Sequence, residues 1–210
     1  MDHAPGALTC RRCGRCCQAG PPALHKDDLE LLAAGAITRD RLVTLRAGEL
    51  ARDNVRGGLA PLARELVRLA SAETGHACVF HEPDAARCAI HHARPAECRL
   101  LFCRDPRTLV DYYSRDRLTR ADIVPQEGAL AELARFHDKT FPAARIMALA
   151  RRAAEGSAAA NAELSELASA EDRFRRAFLE RTGTPGGELD FLFGRALPRL
   201  CAPFGVSIPF

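Results

Sequence analysis

No stretch of this 210-residue chain approaches 18 uncharged apolar residues, so no transmembrane helix and no membrane partner are expected. Its first residues, MDHAPGALTCRRC, lack the apolar run of a secretory signal. The expected compartment is therefore a reducing cytoplasm, where clustered thiols are metal ligands more often than disulfides. A strong net charge is missing too: the formal value is +3, and no aromatics interleave with the arginines, which argues against nucleic acid. Neither a glycine-rich phosphate loop, an H-E-x-x-H pair nor a dinucleotide fingerprint occurs. What remains, 47% hydrophobic and 27% charged residues, is the composition of a folded globular protein.

Cysteine is also missing from 104 to 200, and that gap divides the chain. Eight of the nine cysteines lie between positions 10 and 103, and Cys201 stands alone, read as a buried thiol without function. Four of the seven histidines (His76, His81, His91 and His92) flank the same region and are read as surface or supporting residues. Two domains are expected: a cysteine-cluster metal-binding domain over 1–106, and a helical extension over 107–210 packed on it.

The stretch CRRCGRCC places Cys10, Cys13, Cys16 and Cys17 within eight residues. Overlapping C-x2-C units let three thiolates point at one centre while nearby amides donate to sulfur, as in ferredoxin-type sites; zinc modules more often use two separated pairs. Neighbouring side chains tend to diverge, so Cys16 and Cys17 are expected to serve different metals or opposite sides of one cluster. Cys78, Cys88, Cys98 and Cys103 form the second group, with spacings unlike a zinc ribbon. Cys78 and Cys88 are expected on neighbouring short strands, brought together across a hairpin. Cys98 falls in the first turn of a helix opened by Pro95, whose positive end favours thiolate. Arg11, Arg12, Arg15, Arg87, Arg94, Arg99 and Arg104 flank these cysteines and would balance a negative centre. Which four share a metal stays open.

The fold expected is mostly α with a small β-hairpin element, an irregular cysteine-ligated core carrying C-terminal helices. Lys26 to Leu32 and the stretch from Thr38 through Leu42, Leu45 and Leu50 read as helices. Residues 65–92 read as two or three short strands. Beyond Pro125 the pattern is helical: an apolar face at Leu130, Leu133 and Phe136, a long helix from Ala158 to Arg181 stopped by TGTPGG, and a last one from Leu189 to Leu200.

C-x2-C-x2-C-C at Cys10 to Cys17, C-V-F at Cys78, C-x-I-H at Cys88 and R-P-x-x-C-R-x-x-x-C from Arg94 to Cys103 together resemble the YkgJ-like cysteine-cluster proteins, a zinc- or iron-chelating family. The resemblance covers roughly residues 8 to 105 and implies metal binding by the matched cysteines, with zinc or iron as cofactor and an iron–sulfur cluster among the options. A related cluster in flagellin lysine methylases opens an enzymatic reading, for which no S-adenosylmethionine loop is found. A third reading is a structural zinc protein whose C-terminal helices bind a protein partner.

Overall fold

The computed structural model describes residues 10, 12–53, 55, 57–73, 75–102 and 105–208. Among the described residues, the chain up to Cys88 carries two short helices, α1 (Arg15–Ala19) and α2 (Leu29–Ala33), and six strands. The strands are β1 (Leu42–Leu45), β2 (Leu50–Arg52), β3 (Leu59–Pro61), β4 (Leu66–Leu69), β5 (His81–Glu82) and β6 (Arg87–Cys88). Helices then take over: α3 (Ala96–Leu100), α4 (Arg107–Tyr112), α5 (Arg120–Ile123), α6 (Ala129–Thr140), α7 (Ala143–Ala154), α8 (Ala158–Thr182), α9 (Leu189–Phe193) and α10 (Leu197–Cys201). The strands make three two-stranded sheets, β1 with β4, β2 with β3 and β5 with β6. The class is thus mostly α with small β pairs, as the sequence pattern implies.

Contact density groups the chain into two compact units interleaved in sequence: residues 1–37 with 69–117, and 38–68 with 118–210. The boundary at residue 106, drawn from the distribution of cysteine, remains a proposal about folding units.

The second unit has an apolar core. Ile146, Leu149 and Ala150 of α7 meet Ala160, Leu164 and Ala168 of α8, and Leu197, Leu200 and Cys201 of α10 close over them. Cys201 is buried there, and desolvation, with the nearby Glu171 carboxylate, pushes its pKa up to about 11. The Ser157 side chain accepts from the Ala160 amide at the start of α8, and Gly183, at φ 63, ends it in a left-handed cap.

Polar groups buried in this unit are paired. The imidazole of His137 on α6 lies 3.0 Å from the Glu171 carboxylate on α8, inside a cage of Phe141, Phe174 and Phe193. Glu171 also accepts from Arg175 at 2.9 Å and from the Leu197 amide at 2.8 Å. Burial opposes its charge, but these bonds outweigh burial and hold the carboxyl below the usual range. Arg46 and Arg195 both bond Glu49, which is fully buried.

Two expectations fail in this unit. The helix expected from Thr38 through Leu50 is replaced by a single 3-10 turn (Arg39–Arg41) and then β1. Leu42 and Leu45 fit one helical stripe, but the β-branched pair Val43 and Thr44 lies between them and all four residues are buried, as a strand covered on both faces requires. The terminal helix is also two pieces, α9 and α10. Gly194 breaks it at φ 75, and a Cβ there would come within 3.0 Å of the Arg46 side chain.

Candidate metal centre

The first unit gathers the cysteines. Gly14, at φ 70, turns the chain between Cys13 and Cys16 and precedes α1, which carries Cys16 and Cys17. A Cβ on Gly14 would lie 2.8 Å from the Ala86 carbonyl oxygen and from His81 Nε2, so only glycine lets the thiol-bearing loop seat on the β5–β6 hairpin. The amide of Cys78 donates to the carbonyl of Cys17 at 2.7 Å, a backbone bond tying the two cysteine groups together.

Within the hairpin, His81 stands opposite Cys88 and Glu82 opposite Arg87. This corrects the expectation that Cys78 and Cys88 sit on neighbouring strands of one hairpin: Cys88 is on β6, but Cys78 is on neither strand. The His81 amide closes a turn onto the Cys78 carbonyl, so Cys78 lies before β5, bridged to Ser71 instead.

The sulfurs of Cys16 and Cys17 are 4.0 Å apart, convergent where divergence was expected. Cys17 also interacts with Cys88, and the three thiols share protons unequally. Hydrogen bonding to its two neighbours drives the Cys17 pKa up, while the bond from Cys17 brings Cys16 down to about 6 and Cys88 to about 7. Desolvation opposes the fall at both, and the Arg94 guanidinium assists it. Of the flanking arginines, Arg94 is thus one whose charge reaches these sulfurs; Arg11 and Arg104 lie outside the described residues.

Cys98 departs from expectation in the opposite direction. It sits within α3, but desolvation first, then the charges of Cys78, Cys16 and Cys88, push its thiol well up. Burial and like charge outweigh what a five-residue helix can offer. Cys10 and Cys13 are exposed, and the Cys10 sulfur accepts from the Arg12 amide at 3.4 Å. Cys103 lies outside the described residues. The structure therefore brings Cys16, Cys17 and Cys88 together, sets Cys98 within reach of the charges of Cys78, Cys16 and Cys88, and leaves Cys10 and Cys13 at the surface.

Beside Cys98 lies a buried polar lock that sequence reading missed. His25, Asp28 and Glu97 are all buried. His25 Nε2 is 3.1 Å from Glu97, and its Nδ1 meets the Arg115 carbonyl oxygen at 2.5 Å. Glu97 accepts from the Ala23 amide at 3.0 Å, and Asp28 accepts from the amides of His25 and Ala96 at 3.0 and 2.7 Å. The lock fixes the start of α3, and so Cys98, to the segment after α1. Its only signal in the sequence was Asp28, which read as an ordinary helix-start acid. Tyr112 packs on the His25 ring and donates to Asp27, a structural role.

Sulfur-rich donors suit a soft ion such as zinc or an iron–sulfur centre. The 4.0 Å separation of Cys16 and Cys17 is near the ~3.8 Å edge of a tetrahedron with metal–sulfur bonds of about 2.3 Å. As the side chains stand, no group of three or more His, Cys, Asp or Glu among the described residues is arranged to hold an ion; the thiols hydrogen-bond one another instead. His81 Nε2, buried beside the loop, has no hydrogen-bond partner. No helix among the described residues is long and apolar enough to cross a membrane.

The model of one family, CxxCxxCC, described as "Putative zinc- or iron-chelating domain", matches residues 9–110. No curated protein and no solved structure matches the chain.

Proposed function

Starting from residues 9–110 as a domain of the CxxCxxCC family, we propose that this chain binds zinc or iron through its two cysteine groups. The observation that carries the reading is the convergence of Cys16 and Cys17 with Cys88, some seventy positions away, in one compact unit. Cys78, Cys98, Cys10, Cys13 and Cys103 complete the set that the family resemblance assigns. Cys16 and Cys88, with their lowered pKa values, are the thiols readiest to lose a proton to an incoming ion. An iron–sulfur cluster would add electron transfer; a zinc ion would add stability alone or act as a Lewis acid. A reducing cytoplasm is the compartment this reading requires.

The test is purification without oxygen, followed by metal and sulfide analysis and an absorption spectrum. Zinc or iron at stoichiometric content, lost in Cys17→Ser and Cys88→Ser, is the expected result. A brown protein with sulfide and absorption near about 400 nm would identify the cluster form. Folded protein that takes up neither metal overturns the reading.

A further inference from the structure

The Nε2 nitrogen of His81 takes part in no hydrogen bond among the described residues, and two observations, its register and its packing, set it beside the cysteine cluster. Register is the first. His81 and Cys88 are direct partners in the β5–β6 pair, and opposed residues of an antiparallel pair project to the same face with Cβ atoms about 4.5–5.5 Å apart. Packing is the second. Gly14, in the loop that carries Cys13 and Cys16, backs onto His81 Nε2 so closely that a Cβ there would meet it at 2.8 Å. Nε2 is buried and unpartnered, and leaving a buried polar atom unpaired is destabilising. A native protein tolerates that where the atom has a partner such as an ion or an ordered water.

We propose that His81 is a nitrogen ligand of the ion held by Cys17 and Cys88, making the centre a mixed sulfur–nitrogen site that holds a single ion such as zinc. The inference rests on the metal-binding reading above and goes beyond it by assigning a ligand outside the cysteine set. Ligation through Nε2 needs the ring proton on Nδ1, so the neutral imidazole is the binding form. Mixed thiolate–imidazole sets suit mononuclear zinc, whereas the common iron–sulfur clusters take thiolates throughout. Glycine at position 14 acquires a second reason under this assignment, since any side chain there would occupy the approach to the nitrogen. Three other histidines flank the second group without this combination, and His91 instead contacts Arg94 at 3.3 Å.

The experiment is X-ray absorption at the zinc edge of full-length protein loaded with Zn2+ alone, beside His81→Leu and His81→Gln. The expected wild-type spectrum shows an imidazole shell together with sulfur. That shell disappears in both variants, with zinc affinity at least about tenfold weaker. A wild-type spectrum of sulfur alone overturns the assignment while leaving the metal-binding reading standing. An imidazole shell that persists in the variants also overturns it, since another histidine would then be the donor. Protein that binds no zinc and no iron fails at the earlier step and takes this inference with it. Should the variants fold poorly, the wild-type spectrum still decides between sulfur alone and sulfur with nitrogen.

Discussion

At the scale of single residues, two positions with no thiol of their own govern whether the cysteines can meet. Gly14→Ala would strain a left-handed backbone and drive a methyl group into the Ala86 carbonyl and His81. A loss of about 1–3 kcal/mol in thermal or denaturant unfolding is expected, with reduced metal content in the purified protein. Asp28→Ala removes the acceptor for two buried amides, those of His25 and Ala96, and should cost about 2–4 kcal/mol. Asp28→Asn is the sharper probe, because it keeps an acceptor oxygen but must place an amide group where the second backbone donor points. It should be intermediate in the same unfolding measurement. Neither residue is conspicuous as sequence. Eight cysteines announce a metal site through their spacing, but the lock beside Cys98 depends on residues some seventy positions apart, and no local pattern carries that information. The surroundings of His81 were equally hidden, since its register opposite Cys88 and its packing against Gly14 follow only from the folded hairpin.

At the scale of elements, legibility followed length. The helix α8 was readable because 25 residues sustain one periodicity between a serine cap and a glycine stop. β1 was not, because four buried residues carry too few turns of any pattern to separate period 3.6 from period 2. The predicted apolar face of α6 was Leu130, Leu133 and Phe136, but Phe136 is 56% exposed and stacks on Phe174. The residues that α6 buries are Ala131 and His137, the latter a polar side chain that periodicity discounts. Its bond to Glu171 ties α6 to α8, so Glu171→Ala should cost about 3–5 kcal/mol by leaving His137 Nε2 and the Leu197 amide without their partner and removing one of the acceptors of Arg175. The same group gives a pH dependence. Because the folded pKa of Glu171 is depressed, its contribution is present above the unfolded carboxyl value and drains away as pH falls through about 4 towards the folded value. Acid titration of unfolding free energy should therefore show a steeper loss below about pH 4 in the wild type than in Glu171→Gln.

At the scale of the whole molecule, the thiols of the two cysteine groups and the large helical core belong to different compact units. Cys201, the one cysteine of the second unit, is buried in apolar surroundings and is not a ligand candidate. Removing metal with a chelator should accordingly speed hydrogen exchange across residues 12–37 and 75–117, while amides within α7 and α8 keep their protection. Uniform loss of protection along the chain would show that the metal stabilises both units equally, contrary to this expectation.

The interleaving of those units sets an order of events during synthesis. Cys10 to Cys17 emerge from the ribosome first, and Cys78 follows Cys17 by 61 positions. At about 5–20 residues per second the early thiols wait several seconds before their partners exist. During that interval they are open to oxidation or to capture by the wrong ion. On the proposed metal-binding reading, loading is coupled to translation: a site shared by the two groups closes only after the intervening segment, assigned to the other unit, has been made. Slowing elongation between the two groups should increase mismetallated or oxidised product, and hastening it should reduce both.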